Sequence, residues 1–229
     1  KAAGYDGIEA HVLGTDPTKL KSLCAENGLG LVLQTTGDDA RTLIDMLKQA
    51  AQHEPELIVT HAGRDHLTFD EGCVFWEEVL EAEKNLAVPV AHETHRSRLL
   101  YSPWSTAAYL KKFPELNLNA DFSHWCCVAE SMLQHLGEMV DMAILRSVHI
   151  HGRVGHQEGP QVSDPRAPEY ATHVADHKAW WNRIRKAREA DGAKVLRFVP
   201  EFGPPGYMPT LPHTRQPVAD LWEVCLWMR

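Results

Sequence analysis

The sequence predicts an α/β fold of the TIM-type (β/α) barrel class, and three observations support this prediction. Short apolar runs alternate with stretches of helical periodicity along the chain, which favours parallel strands joined by helical crossovers. The 229 residues match the length of one barrel domain, and no Ser-, Gly- or Pro-rich linker divides residues 1–229. Four strand candidates also end in a metal-ligating residue type, and the C-terminal ends of barrel strands are where active sites are built.

Seven segments have the pattern of buried strands. They are Asp6–Val12, Gly30–Thr35, Leu57–His61, Val88–Glu93, Leu116–Asp121, Arg146–His151 and Val195–Glu201. A complete barrel of this class has eight strands. The count therefore leaves two alternatives, a barrel whose first βα unit is missing before Lys1 or an open sheet of seven strands.

Local signals place some of the helices between these strands. Ser102 and Pro103 have the residue types of an N-cap and a first helical residue. Gly28 is placed to end the helix that precedes the second strand. The segment Pro217–Met228 has the clearest amphipathic pattern, and we expect it to be helical.

Composition and charge narrow the classes of function. The formal net charge of -8 argues against non-specific binding to nucleic acid or to an anionic membrane. No apolar run reaches the roughly 18 residues of a membrane span, and the N-terminus lacks the features of a signal peptide. The five cysteines have no zinc-ribbon spacing, so we expect them to be reduced and mostly in the core. These features predict a cytoplasmic protein that binds neither nucleic acid nor a membrane, and they are compatible with a homo-oligomer.

The candidate metal ligands stand at the ends of four consecutive strand candidates. Glu93 and Asp121 are 28 residues apart, and so are Asp121 and His149, which is the length of one βα unit. Glu201 follows after one further unit and a long loop. A single such residue is more often a surface side chain than a ligand, but four at the same rim can converge. Three carboxylates and one imidazole favour one divalent ion, Mn²⁺ first, with Mg²⁺, Co²⁺ or Zn²⁺ as alternatives.

These motifs resemble those of the xylose isomerase-like TIM-barrel superfamily, which includes sugar epimerases, inosose and hydroxypyruvate isomerases, and apurinic endonucleases. The opening segment Gly4–Glu9 is similar to the second strand of that family, which favours the alternative of a missing first βα unit. The four metal-bearing strands of the family match, in order, Glu93, Asp121-x-x-His124, the His149 strand and Pro200-Glu201-Phe202. The resemblance covers nearly the whole chain.

The resemblance implies roles for individual residues. It implies one metal ion held by Glu93, Asp121, His149 and Glu201, and a substrate contact for His124. His149 and His151 face the same way on one strand, so either could be the ligand. His149 is preferred because an aliphatic residue follows it, as in the family, and His151 then contacts substrate or supports the ligands.

Further residues are expected around this site. His61 ends the third strand candidate and is expected to line the pocket. Arg96 and Arg153 flank the ligands, where each could bind a carboxylate or phosphate of the substrate or form an ordinary salt bridge. Glu9 lies at the same rim, and the Gly- and Pro-rich segment Gly152–Pro168 is expected to cover the substrate.

The function that the resemblance implies is a metal-dependent isomerase or epimerase of a small sugar or other polyhydroxy carbonyl compound. Glu93 and Glu201 would exchange a proton with the substrate from opposite sides. A lyase acting on keto-sugar derivatives is the alternative, and Leu99 stands where ketose epimerases carry another glutamate. An apurinic endonuclease is disfavoured because Asp164-Pro165-Arg166 has Arg in place of the required His. A non-catalytic metal-binding barrel is the remaining hypothesis.

Overall fold

Seven parallel strands form a nearly closed barrel in the computed structural model, which describes residues 1–229. The strands are β1 (Gly7–His11), β2 (Gly30–Gly37), β3 (Leu57–Ala62), β4 (Val90–Glu93), β5 (Leu118–Ala120), β6 (Ser147–His151) and β7 (Arg197–Val199). Each strand pairs with the next one in the chain, in the order β1 to β7. All seven predicted strands are confirmed, as is the TIM-type architecture.

Eight α-helices follow or connect the strands. They are α1 (Pro17–Glu26), α2 (Ala40–Ala51), α3 (Phe69–Glu83), α4 (Pro103–Lys112), α5 (Phe122–Val128), α6 (Gly137–Arg146), α7 (Ala171–Ala190) and α8 (Leu221–Met228). Two short 3₁₀ helices lie at Gln134–Leu136 and Pro168–Tyr170. None of the helices combines the length and the apolar character needed to span a membrane.

The barrel is not closed by hydrogen bonds between its first and last strands. β1 pairs only with β2, and β7 pairs only with β6. The sheet therefore has two free edges, as expected for a barrel-shaped sheet with seven strands rather than eight.

The helix signals are confirmed at α4 and α1, and the last helix is present but shorter than predicted. Ser102 caps α4 by accepting a hydrogen bond from the Ser105 amide, and Gly28 follows α1 with a φ of 60°. The last helix begins at Leu221, so the predicted start at Pro217 is wrong. The reason is that Asp220 caps the helix by accepting from the Glu223 amide at 2.9 Å.

Alternation along the strands separates an apolar layer from a polar layer inside the barrel. Val59 and Ala91 belong to a small apolar cluster in the interior, whereas most of the core lies between the sheet and the helices. Two residues further along the same strand faces stand His61 and Glu93, at the C-terminal ends of β3 and β4. The pleat therefore directs the candidate site residues into the barrel mouth.

One glycine of the helical layer is required by close packing. A Cβ added to Gly72 in α3 would collide with the hydroxyl of Tyr109, which is itself buried. We expect Gly72→Ala to lower the free energy of unfolding by about 1–3 kcal/mol, as overpacking does, although alanine is the better helix former. Urea unfolding measures this change. Gly137→Ala is the matched control, because no atom lies within 4 Å of the added Cβ, and an unchanged midpoint for Gly72→Ala would contradict the prediction.

Candidate metal centre

Four side chains converge at the C-terminal mouth of the barrel. Glu93 ends β4, Asp121 follows β5, His151 ends β6 and Glu201 follows β7. One potential ligand atom from each residue lies within 4.8 Å of the others. The side chains of the first three are at most 2% exposed, and that of Glu201 is 31% exposed. The structure thus brings together three of the four ligands predicted from the sequence, with His151 in place of His149.

Each of these four residues has a buried polar atom that makes no hydrogen bond of good geometry, although His151 Nδ1 and Glu201 Oε2 face each other at 2.7 Å. The atoms are Glu93 Oε1, Asp121 Oδ2, His151 Nδ1 and Glu201 Oε2. Buried side-chain oxygens and nitrogens usually have a partner, so a set of four facing one another calls for an explanation. A cation coordinated by all four would provide one, and the mixture of three carboxylates and one imidazole fits a divalent first-row ion.

The choice of His151 over His149 follows from the pairing of β5 with β6. β6 contains one extra residue, Val148, at a register irregularity. Ala120 is consequently opposite Ile150, and Asp121, the next residue, lies near His151 in the group of four. Without the irregularity Asp121 would be level with Ile150, whose side chain belongs to the core on the helical side. The aliphatic residue after His149, which favoured His149 in the sequence, does not reveal this shift.

His149 lies outside the group of four and contacts Glu9 instead. Its Nε2 is 2.9 Å from Glu9 Oε2, and His151 Nε2 is 2.7 Å from Glu9 Oε1. Burial opposes ionisation of Glu9, but the charge of His151 and hydrogen bonds from both histidines outweigh it and lower its pKa to about 2. Glu9 is therefore an ionised carboxylate next to the centre, which agrees with its predicted place at the same rim.

Polar side chains from three neighbouring strands surround Glu93. Its Oε2 is 3.0 Å from His61 Nε2, 3.3 Å from Gln34 Nε2 and 3.5 Å from Asn119 Nδ2. Burial disfavours the carboxylate, but His61 and His151 outweigh burial and hold the pKa of Glu93 well below its usual range. His61 thus lines the site as predicted. Gln34 and Asn119 were missed, and their inward positions on β2 and β5 are the only signal of them that the sequence contains.

Asp121 is held at the N-terminus of α5. Its Oδ1 accepts hydrogen bonds from the amide (3.1 Å) and the hydroxyl of Ser123, which leaves Oδ2 free. Burial, with smaller contributions from Glu201 and Glu93, outweighs the effect of Arg153 and raises the pKa of Asp121 to about 7. Crowded buried carboxylates of this kind are stabilised by a bound cation.

Arg153 and His124 lie on one side of the carboxylates, as predicted. Arg153 is 2% exposed, donates a hydrogen bond to Glu201 Oε1, and has its Nε 3.7 Å from Asp121 Oδ2. His124 Nε2 is 3.5 Å from Asp121 Oδ2 and 3.4 Å from Arg153 Nη1. Of the two roles considered for Arg153, the structure records the salt bridge, and its donors reach the same carboxylates that would hold the ion.

Tyr207, in the loop after β7, was not predicted. Its hydroxyl is 3.4 Å from His95 Nε2, and its ring centroid is 4.4 Å from Arg153 Cζ and 5.3 Å from Arg96 Cζ. The centroid of the His95 ring in turn lies 3.9 Å from the centroid of the His124 ring. Arg96, which was predicted to flank the site, is therefore at its rim over an aromatic ring. No local sequence motif identifies Tyr207, because only the fold of this loop brings it back over the site.

The segment Gly152–Pro168 is folded against the site and is largely buried at its start. Gln161 accepts a hydrogen bond from the Gly203 amide at 2.7 Å and donates one to the Gly203 carbonyl at 3.2 Å. This contact joins the segment to the loop that carries Glu201. Asp164 and Arg166 pair with each other at 2.7 Å and lie apart from the four ligands.

A buried histidine anchors the same segment to α7 and predicts a pH dependence of stability. His177 Nε2 accepts from the Gly155 amide at 3.2 Å, and Nδ1 donates to the His173 carbonyl at 2.8 Å. Burial lowers the pKa of His177 to about 4 from its usual 6.5, so the unfolded chain takes up this proton first as the pH falls. Its stabilising contribution is therefore complete above about pH 6.5 and is lost between pH 6.5 and 4.

We expect the free energy of unfolding to fall by on the order of 2–3 kcal/mol over this range from His177 alone. His177→Gln keeps a hydrogen-bonding side chain but does not titrate. Urea unfolding at pH 7, 6, 5 and 4 should therefore give a steeper pH dependence for the unchanged protein than for the variant. Parallel curves for the two proteins would show that His177 is not responsible.

Comparisons with known proteins support the fold. No protein-family model matches the sequence, and no curated protein matches it. The chain is similar in structure to the probable 3-DHS dehydratase AsbF from Bacillus anthracis, involved in petrobactin synthesis, with a TM-score of 0.57 and 16% identity over 90% of this chain and 86% of that one. A dihydrodipicolinate synthase from Agrobacterium tumefaciens matches with a TM-score of 0.46 and 14% identity over 84% and 68% of the two chains. At these identities the similarity to AsbF establishes the barrel fold alone.

Proposed function

We propose that the protein is a divalent-metal-dependent isomerase or epimerase of a small sugar or other polyhydroxy carbonyl compound, and a member of the xylose isomerase-like superfamily. The observation that carries the proposal is the convergence of Glu93, Asp121, His151 and Glu201, in which Glu93 Oε1 and Asp121 Oδ2 are buried without a hydrogen-bond partner. The place of this group at the C-terminal mouth of a barrel, where active sites of this fold are built, supports a catalytic role rather than a structural one.

The donor set favours a hard divalent ion. Three carboxylates and one imidazole resemble sites for Mn²⁺, Mg²⁺ or Co²⁺ more than a structural zinc site, which would use thiolates. The five cysteines are free, and none belongs to the group of four. We therefore propose Mn²⁺ as the first ion to test.

A divalent ion held there would polarise a substrate carbonyl oxygen and stabilise the negative charge that develops when the neighbouring carbon loses its proton. Glu201 is the most exposed of the four residues, at 31% of its side chain, so it can reach a bound substrate. Glu93 approaches from β4, three strands away from β7. The two carboxylates thus face the centre from different directions, which suits removal of a proton on one side and its return on the other.

The remaining polar side chains of the mouth can orient a hydroxylated substrate. His124 is buried and its Nδ1 has no hydrogen-bond partner, so it has a donor or acceptor available for a substrate oxygen. His151, now in the ligand group, leaves the substrate-binding role, which we assign to His124, Arg153, His61 and Arg96. Tyr207 joins this set because it contacts His95 and both arginines.

A lyase is the second candidate, because elimination next to a carbonyl begins with the same proton removal. The similar fold of the probable 3-DHS dehydratase makes loss of water the form of elimination to test. The residues that would start the reaction are the same, so the two candidates differ only in the fate of the intermediate. Product analysis therefore has to distinguish them.

The experiment is a substrate screen in D₂O. Mn²⁺-loaded protein is incubated with ketoses, keto-inositols and oxidised glycosides, and products are read by NMR and mass spectrometry. For an isomerase or epimerase we expect deuterium at the carbon next to the carbonyl, in a product whose mass otherwise equals that of the substrate. Loss of water would favour the lyase instead. Tight Mn²⁺ binding with no exchange in any compound would contradict both and support a non-catalytic metal-binding barrel.

A further inference from the structure

Glu9 makes a contact that spans the interior of the barrel. It belongs to β1, whereas the two histidines that it contacts belong to β6, and the two strands are not neighbours in the sheet. Each carboxylate oxygen meets one ring, His151 Nε2 at 2.7 Å and His149 Nε2 at 2.9 Å. The Glu9 side chain is 8% exposed and both rings are at most 2% exposed. Both oxygens of this buried carboxylate thus contact an imidazole ring.

We propose that Glu9 is a positioning residue that selects Nδ1 of His151 as the nitrogen presented to the divalent ion. This inference rests on the proposed function. A divalent ion would replace one of the two ring protons of His151, and the neutral imidazole that remains carries its proton on one nitrogen and its lone pair on the other. Because an ionised carboxylate only accepts hydrogen bonds, Nε2 of His151 has to be the donor, which leaves the lone pair on Nδ1.

The surroundings of Nδ1 agree with this assignment. His151 Nδ1 lies 2.7 Å from Glu201 Oε2 and 3.2 Å from Glu93 Oε2, in the middle of the ligand group. The ring therefore turns one nitrogen to Glu9 and the other to the proposed ion.

His149 gives Glu9 its fixed orientation. A carboxylate held at one oxygen can rotate, but the second contact, to His149, fixes both oxygens and hence the direction of the hydrogen bond to His151. The unusual pair of histidines two residues apart on β6 is explained in this way. One ring ligates, and the other holds the carboxylate that orients the first.

The test uses Glu9→Gln in the full-length protein. Glutamine has the same size but only one acceptor oxygen. Its NH₂ group cannot accept a hydrogen bond, so one of the two histidine rings loses its acceptor. We expect the Mn²⁺ affinity, measured by titration calorimetry, to fall about 10–100-fold, the usual effect of changing a residue behind a metal ligand. Glu56→Gln is the control, because Glu56 is half exposed and pairs with Arg197 away from the site, and its affinity should be unchanged.

A spectroscopic measurement on the unmutated protein keeps the inference testable if Glu9→Gln does not fold. With ¹⁵N-labelled histidine and diamagnetic Zn²⁺, the ring signals of His151, identified by their loss in His151→Gln, should show a proton on Nε2 and a metal-shifted Nδ1. Zn²⁺ bound through Nε2, or an unchanged Mn²⁺ affinity in a folded Glu9→Gln, would overturn the inference and leave the proposed function standing. Failure of the unmutated protein to bind either ion would overturn both.

Discussion

Replacing His151 with alanine is expected to lower the affinity for Mn²⁺ by more than about 100-fold, beyond the effect of a change behind the ligands. His151 supplies the only nitrogen of the four-residue group, and its removal leaves three crowded carboxylates with one ligand position unfilled. Replacing His149 with alanine should cost less, because His149 acts only through Glu9. Titration calorimetry on both variants measures the difference, with circular dichroism to verify folding.

The opposite ranking would show that the ligand is His149 rather than His151. Thermal unfolding provides an independent measurement of the same site. At an Mn²⁺ concentration of 100 times Kd, binding stabilises the folded state by about 2.7 kcal/mol. For a chain of this length the melting temperature should rise by roughly 5–10 °C. Asp121→Asn is expected to abolish this rise, since it removes one carboxylate charge from the ligand group.

Changing Glu201 or Glu93 to glutamine is expected to lower kcat by about 10²–10⁴, the usual contribution of general acid–base catalysis. Glutamine retains the size of the side chain and an oxygen able to ligate, but it cannot take up the proton. The assay is run at saturating Mn²⁺ on the substrate found in the screen, so that weaker metal binding is separated from loss of the base. Glu78→Gln, at an exposed position of α3, should leave kcat unchanged.

Solvent isotope incorporation provides the decisive comparison for these two variants. In D₂O the unmutated protein should place deuterium on the carbon that changes, and both variants should do so more slowly in proportion to kcat. Product that carries no solvent deuterium would indicate a hydride shift within the substrate. The two-glutamate mechanism would then have to be abandoned even if the metal site is correct.

The barrel and three of the four ligands of the group could be predicted because they depend on local patterns. Each strand is an apolar run bounded by turn residues, and the pleat decides which of its residues face inward. Glu93, Asp121 and Glu201 each follow such a run, so the parallel connection alone brings them to one rim. The length of a βα unit then places consecutive strand ends next to each other.

The residues that were missed or misassigned depend on how distant segments are placed. Gln34 and Asn119 reach Glu93 from strands on either side of β4, and an inward position on a strand does not by itself reveal a contact. Tyr207 returns to the site through a loop whose course no periodicity describes. The start of α8 was placed too early because the cap at Asp220 decides where the helix begins.

The sequence by itself determined the parallel (β/α) order and the rim at which Glu93, Asp121 and Glu201 lie. Only the tertiary structure showed which of His149 and His151, two rings on the same face of one strand, faces these carboxylates. The extra residue at Val148 shifts β6 against β5, and Asp121 lies near His151. Glu9 then contacts Nε2 of His151 from the other side of the barrel. Register between strands and contacts across a barrel are set by the packing of the whole sheet, which local sequence patterns do not encode.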